Sequence, residues 1–249
     1  MSPPSGADPD APRGLRASLA TPDAKRRYVR RLFSTIADRY DLITGLLSYG
    51  QDRRWKRRLT ALATVRPGMR ALDLACGTGD IAYALQAGGA RTTGLDITPR
   101  MLELAAAKQR SGSRPGWVAG DMMALPFPAA QFDVVTTGYG IRNVPVIDGA
   151  LEEIHRVLKP GGLFLSLDFN RPSNPVVRAV YLAYLAVVGS SLGFVLHGDP
   201  DTYRYIPESI KRYPGAPAVC GLLRERGFSS CEYVPVLGGL MAIHRAVKR

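Results

Sequence analysis

The sequence predicts an α/β fold, a doubly wound, mostly parallel sheet of seven strands that ends in an antiparallel hairpin. Short apolar segments alternate with helical segments through the middle of the 249-residue chain, which is typical of a parallel sheet covered on both faces. Near the C-terminus two apolar segments are separated only by Gly238-Gly239, a connection so short that the two strands must be antiparallel. With 46% hydrophobic and 22% charged residues, the chain has the composition of a globular protein.

The N-terminal region is predicted to be a tail followed by helices. Residues 1–22 are rich in Pro, Ala, Gly and Ser and lack the apolar segment of a signal peptide, so we expect a disordered tail. Apolar residues recur with helical spacing over 26–41, and a second helical segment spans about 53–64. We therefore expect a single domain at 23–249, in which residues 23–65 form a helical cap.

The alternating region contains five predicted strands separated by helices. The strands lie at 69–75, 91–96, 116–119, 132–137 and 162–169, and the helices at 80–87, 98–109 and 147–158. A helix at 215–226 and strands at 228–236 and 240–247 complete the sheet. Residues 171–213 interrupt the alternation, and their uncharged 18-residue core, 179–196, is at the lower limit for a membrane span. Since glycines and serines occupy its middle, we expect a helical lid over an apolar ligand instead.

A glycine-rich turn after the first strand predicts a nucleoside-binding site. Gly77 and Gly79 lie between an apolar strand and a helix start, where glycine lets the backbone approach a ligand closely and the helix presents free N–H groups. Asp96 ends the next strand, roughly 20 residues further on, where a carboxylate can accept hydrogen bonds from ribose hydroxyls. The G-x-G spacing lacks the third glycine of the dinucleotide fingerprint.

The segment from Asp73 to Asp80 resembles the first motif of class I S-adenosylmethionine-dependent methyltransferases. The resemblance implies their Rossmann-like fold, S-adenosyl-L-methionine as cofactor, and cofactor contacts on four consecutive strand ends. These contacts are Asp73, Ala75, Gly77, Thr78, Gly79, Asp96, Ile97, Met101, Asp121, Met122 and Gly138. Asp121 would accept from the adenine amino group and Met122 would pack on the ring. Ile97 and Met101 would form the floor of the site, although core packing explains that pair equally well.

Five segments together resemble the C-methyltransferases of ubiquinone and menaquinone biosynthesis. They are Tyr40-Asp41 with Ser48, Gly50, Arg53, Trp55 and Lys56; the 73–80 loop; 140–144; 156–162; and 205–210. The resemblance covers the chain from Lys25 onward and implies C-methylation of a prenylated hydroquinone ring beneath the cap and the 171–213 lid. It implies that Arg142 stabilises a phenolate, that Asn143 and Tyr40 hold ring oxygens, and that Asp41 acts as an acceptor.

The chain departs from this family near the expected substrate. Ile43-Thr44-Gly45 stand where the family has Met-Asn-acidic, Asp52 stands where it has His, and Asp168-Phe169-Asn170 stand where it has Glu-Phe-Ser. A methyltransferase of the same fold for another apolar or phenolic metabolite therefore remains an alternative. A basic RNA-binding protein is a third hypothesis, but the chain lacks the aromatic and basic interleaving of RNA modules, so we expect no nucleic-acid partner.

Charge and cysteine content indicate the compartment. The net charge of +12 suits an anionic membrane surface, although solvated helix faces would explain it as well. Three cysteines without metal-ligand spacing and three scattered histidines predict no metal site, no disulfide framework and a reducing compartment. We therefore expect a cytoplasmic protein with peripheral contact at the inner face of the cytoplasmic membrane. Family members often form homodimers, so a homodimer is left open.

Overall fold

A single mixed sheet forms the centre of the computed structural model, which describes residues 15–48, 50–108, 112–199 and 202–249. The strand order is β3-β2-β1-β4-β5-β7-β6, and pairing is parallel from β3 to β5 and antiparallel for β7 on both sides. The strands are β1 (Arg70–Leu74), β2 (Arg91–Asp96), β3 (Gly116–Ala119), β4 (Phe132–Gly138), β5 (Leu158–Phe169), β6 (Phe228–Val236) and β7 (Met241–Lys248). The predicted fold class and the predicted terminal hairpin are confirmed.

Ten α-helices of the described residues surround this sheet. They are α1 (Leu15–Ser18), α2 (Pro22–Ile36), α3 (Tyr40–Leu47), α4 (Asp52–Leu62), α5 (Asp80–Ala87), α6 (Pro99–Ala107), α7 (Ile147–Val157), α8 (Pro175–His197), α9 (Tyr205–Arg212) and α10 (Ala216–Glu225). Short 3-10 turns at Ala37–Arg39, Ile141–Asn143 and Leu237–Gly239 connect some of them.

Two apolar cores cover the two faces of the sheet. Along β4, Val134 packs with α4 and α5 on one face, whereas the next residue, Val135, packs with α7 and α10 on the other. This alternation follows from the two-residue period of a strand. The sheet is therefore buried on both sides, and its carboxyl edge stays available for a ligand site.

The folded region begins earlier than the sequence predicts. Helix α1 and the buried Leu19 lie inside the stretch expected to be a disordered tail, and Leu19 packs against Val29 and Tyr205. Thr21 accepts a hydrogen bond from the backbone N–H of Ala24 and so caps α2. Residues 15–22 are therefore folded, because Leu15 and Leu19 pack against the domain in spite of the average composition of the segment; residues 1–14 lie outside the described residues.

Residues 171–213 contain two helices that cover the carboxyl edge of the sheet. The 23-residue helix α8 starts after the Asn174 cap and ends at Gly198 in the left-handed region, φ 69°. By length and composition it could cross a membrane, with a mean hydropathy of 2.0 over its most apolar 18 residues. One of its faces packs on the protein, however: Gly189 lies against Tyr203, and Leu185 packs with Ile210 of α9.

The cysteines differ from the prediction. Cys220 on α10 and Cys231 on β6 form a disulfide, with their Cα atoms 5.3 Å apart. The sequence predicted no disulfide framework because three cysteines are few, but the packing of α10 on β6 brings these two buried side chains together. Cys76 is a free cysteine. Within the described residues, no group of three or more His, Cys, Asp or Glu is placed to hold a metal ion.

Candidate active site

Two adjoining cavities lie at the carboxyl edge of the sheet. The larger has a volume of about 650 Å³ and is covered by α2, α3, α8 and α9. The smaller has a volume of about 80 Å³ and lies over the ends of β1, β2 and β4. Phe33, Tyr40 and Tyr139 line both cavities and form the boundary between them.

The glycine-rich loop forms the floor of the smaller cavity. Gly77 has a φ of 52°, and a Cβ there would face only Tyr40 at 3.6 Å, so the backbone is open toward the cavity. Its N–H donates to Oδ2 of Asp96 at 2.9 Å, while Oδ1 of Asp96 accepts from the N–H of Thr98 at 2.8 Å. Burial raises the pKa of Asp96 despite these bonds. The acid is thus fixed against the loop and still lines the cavity.

Most residues predicted to bind the cofactor line this smaller cavity. They are Ala75, Gly77, Asp96, Ile97, Met101, Asp121, Met122 and Gly138. One carboxylate comes from the end of β2 and one follows β3, and apolar side chains lie among the other lining residues. That donor set fits S-adenosyl-L-methionine: Asp96 suits the ribose hydroxyls, Asp121 the adenine amino group, and the apolar walls the ring.

Three residues predicted as cofactor contacts, one in β1 and two in the loop itself, do not line the cavity. Asp73 is fully buried and accepts from the Thr136 hydroxyl at 2.8 Å, and burial raises its pKa to about 7. Thr78 donates to Oδ1 of Asp41 at 2.6 Å. Gly79, with φ 83°, is held by packing, because a Cβ would lie 2.5 Å from the Trp117 ring. These residues shape the loop.

The cap closes over the smaller cavity. Arg26 of α2 lines it and pairs with Asp121, with Nε 2.9 Å from Oδ2. Val29 and Phe33 from the same helix complete this wall. The cap therefore forms one wall of the smaller cavity, whose volume is about 80 Å³.

The larger cavity is almost entirely apolar. Its walls are aliphatic and aromatic side chains, with a few hydroxyl groups, from α2, α3, α8 and α9. Among the described residues that line it, Arg142 is the only charged one. An apolar ligand with a single polar end would therefore place that end near Arg142.

Arg142 is held rigidly by its neighbours. Its Nη1 donates to Oδ1 of Asp168 at 2.6 Å and to the carbonyl of Tyr139 at 3.0 Å, and its guanidinium lies 4.6 Å from the centre of the Phe169 ring. Burial alone would lower the pKa of Arg142, but the Asp168 carboxylate outweighs it and the pKa is raised. Arg142 therefore remains cationic, and its buried Nε has no hydrogen-bond acceptor among the described residues.

The other predicted catalytic residues divide into two groups. Asn143 lines the smaller cavity, donates to the Tyr139 carbonyl at 2.7 Å and accepts from the Tyr205 hydroxyl at 3.0 Å. Tyr40 lies at the boundary of the cavities. Asp41 lines neither cavity and is exposed, with Oδ2 paired to Lys108 at 2.9 Å. The structure therefore does not place Asp41 as an acceptor for a ring hydroxyl, because the α3 turn directs it toward α6.

Sequence reasoning missed two residues that hold this site together. Asp168 was noted only as a departure from the family pattern, although it also accepts from the Arg142 backbone N–H at 3.1 Å. Lys25 belongs to a basic run that looked like a solvated face. Its Nζ donates to the carbonyls of Arg142 and Val144 at 3.1 and 2.6 Å, and burial, followed by the Arg142 charge, lowers its pKa to about 8. Neither contact has a signal in local sequence.

Sequence comparison gives consistent matches over nearly the whole described fold. The model of the ubiE/COQ5 methyltransferase family matches residues 21–248. The ubiquinone/menaquinone biosynthesis C-methyltransferase UbiE of Methylobacterium nodulans is 43% identical over 237 residues, which cover 91% of this chain and 92% of that protein. The demethylmenaquinone methyltransferase of Thermus thermophilus is 41% identical over 216 residues, 86% of this chain and 98% of that one.

Solved structures share the fold at low sequence identity. An S-adenosylmethionine-dependent methyltransferase of Thermotoga maritima superposes with a TM-score of 0.64 at 18% identity, covering 89% of this chain and all of that one. A phosphoethanolamine N-methyltransferase of Haemonchus contortus, solved with S-adenosyl-L-methionine, gives a TM-score of 0.58 at 16% identity over 78% of this chain and 52% of that chain.

Proposed function

This chain belongs to the ubiE/COQ5 methyltransferase family and is an S-adenosylmethionine-dependent C-methyltransferase, and we propose that its substrate is a prenylated hydroquinone of the demethylmenaquinol type. Relatives named for ubiquinone/menaquinone biosynthesis and for demethylmenaquinone support this substrate class. The observation that carries the proposal is the apolar cavity of about 650 Å³, directly beside the smaller cavity, in which Arg142 is the one charged residue among the described lining residues.

The shape and polarity of the larger cavity match a quinol with an isoprenoid tail. The polar ring would lie at Arg142, where Tyr40 and Tyr139 bound both cavities. The tail would lie along Tyr181, Tyr184 and the valines of α8 that line the same cavity. Burying the tail there is favourable by about 0.8 kcal/mol per CH₂ removed from water.

The chemical problem is that a ring carbon is a weak nucleophile. S-adenosyl-L-methionine supplies the electrophilic methyl group when bound. Removing a proton from a ring hydroxyl raises the electron density of the neighbouring carbon, and that hydroxyl has a pKa near 10 in water. Arg142 lowers the cost of this step by holding a permanent positive charge beside the developing phenolate oxygen.

The remaining residues position the ring and exclude water. We infer that Asn143 and Tyr40 hold the ring oxygens, because Tyr40 lines both cavities and Asn143, next to Arg142 in the chain, lines the smaller one. Asp168 fixes the Arg142 side chain and backbone together. The cap and the α8–α9 lid surround the junction with apolar side chains, so the charges at the reacting centre act in a dry environment.

We infer that the enzyme contacts the membrane through the rim of the larger cavity. Leu42 and Leu46 of α3 and Val176 and Val180 of α8 are exposed large apolar residues, and both valines also line the cavity. The outer face of α2 carries exposed arginines at 27, 30 and 31, which suit anionic lipid headgroups. A lipid-soluble substrate could then enter without crossing water.

The test of the substrate is direct methylation of candidate quinols. The purified enzyme would be incubated with S-adenosyl-L-methionine and reduced demethylmenaquinone or demethoxyubiquinone analogues of different tail length, and products analysed by mass spectrometry. We expect the quinols of one ring type to gain one methyl group on the ring. Activity confined to small soluble phenols would instead favour the same-fold alternative, and would point to the unusual residues Thr44 and Asp52.

A further inference from the structure

Tyr139 connects the reaction centre with a buried carboxylate that the proposed mechanism does not use. It is one of the residues lining both cavities, and its carbonyl accepts from Arg142 and from Asn143. Its backbone has a φ of 63°, a conformation that costs a non-glycine residue of order 1–3 kcal/mol and persists only where the surroundings impose it. Its hydroxyl donates to Oδ1 of Asp52 at 2.7 Å.

Asp52 begins a chain of charged groups that leads from the cavity wall to solvent. Its side chain is only 8% exposed and pairs with Lys56, Oδ2 to Nζ, at 2.7 Å. Lys56 also contacts Asp80 at 3.2 Å, and Asp80 contacts Lys108 at 3.0 Å. Lys108 in turn pairs with the exposed Asp41. Two lining residues of the larger cavity, Ser48 and Trp55, flank Asp52 along the chain, so the carboxylate lies immediately behind the wall.

Other proton acceptors near the reaction centre are less suitable. The described lining of the larger cavity contains no Asp, Glu, His or Lys. The nearby Asp168 is fully buried, and its oxygens already accept from the guanidinium of Arg142 and from two backbone N–H groups. Asp52, by contrast, is reached through a hydroxyl whose own side chain forms the cavity wall.

We propose that Tyr139 relays the proton of the substrate ring hydroxyl to Asp52. The oxygen of Tyr139 takes the substrate proton while its own proton moves to Oδ1 of Asp52. The ring oxygen keeps the electron pair, and the ring carbon uses the resulting electron density to take the methyl group, whose former bonding pair stays on sulfur. The ring carbon then gives its hydrogen as a proton to water as the product leaves the dry site, and the ring oxygen recovers a proton from Tyr139 as Asp52 returns one.

The charges around the pair are consistent with this direction of transfer. Burial, then the Asp52 charge, raises the pKa of Tyr139 well above its usual value, so the resting hydroxyl is a donor to a carboxylate. Lys56 from α4, Arg142 from the turn after β4, Tyr40 from α3 and Asp80 from α5 are the titratable groups that face this cluster. The positive charges of Lys56 and Arg142 stabilise the negative charge of this cluster.

The first measurement needs no methyl transfer and therefore does not depend on the proposed substrate. The naphthol 2-methyl-1-naphthol would be bound to the full chain without cofactor, and its ionisation followed by absorbance as the pH is raised. We expect the bound naphthol to ionise at least one pH unit higher in the parent than in Asp52→Asn or Tyr139→Phe, because the Asp52 charge and the hydrogen bond through Tyr139 favour the protonated naphthol. Asp133→Asn is the matched control, because Asp133 pairs with Lys159 at the opposite end of β4.

The second measurement is the pH dependence of kcat for the best quinol. At pH 7 we expect the kcat of either variant to lie about 100-fold below that of the parent, which is within the range of general-base catalysis. As the pH rises, this kcat should recover about tenfold per pH unit, because hydroxide replaces the relay. A loss that is constant with pH, or naphthol titrations that coincide in all variants, would overturn the relay. Because the relay rests on the proposed function for its quinol, a parent that methylates no hydroquinone would instead contradict that function and leave the naphthol result standing.

Discussion

Arg142 has two roles, one inside the protein and one at the wall of the larger cavity. Its Nη1 is bound to Asp168 inside the protein, yet the residue also supplies the only charge among the described residues that line the apolar cavity. An arginine can do both because its planar guanidinium has several donors and stays charged when buried. The site therefore keeps a cation next to apolar walls without leaving that charge unpaired.

Replacing Arg142 should separate binding from turnover. We expect Arg142→Lys to keep S-adenosyl-L-methionine affinity, measured by calorimetry, and to lose at least tenfold in kcat, since a lysine cannot hold Asp168 and the ring oxygen together. Arg142→Ala should lose at least as much and also be destabilised by about 3–5 kcal/mol, because Asp168 would be left as a buried unpaired charge. Retained turnover in Arg142→Lys would contradict the assigned role.

Asp96 should decide cofactor affinity. Asp96→Asn keeps the size of the side chain but weakens the hydrogen bonds to the cofactor ribose and to the N–H of Gly77. A hydrogen bond to a charged group contributes about 1.5–3 kcal/mol, so we expect affinity for S-adenosyl-L-methionine to fall by about 10- to 100-fold. Asp133→Asn, at the amino-terminal end of β4 and away from both cavities, should bind normally in the same calorimetric titration.

Asp73 makes stability depend on pH in an unusual direction. Its pKa is about 7 in the folded protein, raised chiefly by burial from 3.8. Between these values the native state holds a proton that the unfolded chain has lost, so this residue makes the protein less stable as the pH rises from about 4 to 7. From pH 5 to pH 7 we expect the free energy of unfolding of Asp73→Asn to rise by about 2–3 kcal/mol relative to that of the parent. Each of the two pH units contributes about 1.4 kcal/mol.

Denaturant unfolding at several pH values would measure this difference. Each curve would be compared with the parent at the same pH, so that other titrating groups cancel. Asp133→Asn serves again as a control, because the Asp133 carboxylate pairs with Lys159 at the amino-terminal end of β4. A variant-to-parent difference that does not change with pH would show that Asp73 is ionised throughout.

At the scale of elements, α8 has two different faces. Tyr181, Leu185, Gly189 and Gly193 are buried against the domain. The opposite face is exposed and apolar, with Val180 65%, Val187 68% and Phe194 66% exposed, and α8 carries no Lys, Arg, Asp or Glu between Arg178 and its end at His197. Exposed apolar residues on one face of a helix are unusual on a soluble monomer when they form a patch, and they support the membrane contact proposed above.

A charge placed on this face should weaken membrane binding. We expect Val187→Asp to reduce sedimentation with lipid vesicles at least tenfold while leaving stability nearly unchanged, since the side chain is exposed. Ala129→Asp adds the same charge on an exposed loop and should sediment like the parent. Equal losses in both variants would mean that net charge alone, and not the α8 face, governs the contact.

At the scale of the whole molecule, the net charge of +12 and the apolar rim would act together. Basic residues on α2 lie on the same cap whose inner side lines the larger cavity. Electrostatic attraction would bring the protein to an anionic surface, and the apolar rim would then insert. The proposed contact would place the cavity mouth where an isoprenoid quinol is concentrated.

Salt should separate the two contributions. We expect binding to anionic vesicles to exceed binding to neutral vesicles at about 0.1 M salt, and the difference to disappear near 1 M, where the Debye length falls from about 10 Å to about 3 Å. Binding that persists at high salt would come from the apolar face and should be lost in Val187→Asp. Equal binding to both vesicle types at low salt would contradict the electrostatic part.

Local sequence was sufficient for the order of strands and helices. The period of two along β4 and the turn at Gly77 and Gly79 depend on neighbours within a few residues, so they could be recognised without a structure. The resemblance added the Rossmann-like fold and the cofactor. The last strands were paired correctly because the connection at Gly238-Gly239 allows only one direction.

Only the tertiary structure decided which predicted residues face the cavities. Asp41 turns toward Lys108, Asp73 bonds Thr136 inside the sheet, and Asp168 meets Arg142 across 26 positions of the chain. The Leu19 anchor and the disulfide on α10 likewise depend on elements that meet only after folding. A sequence pattern specifies the local backbone, whereas the direction of a polar side chain depends on which distant partner the packed sheet and cap place within hydrogen-bond distance.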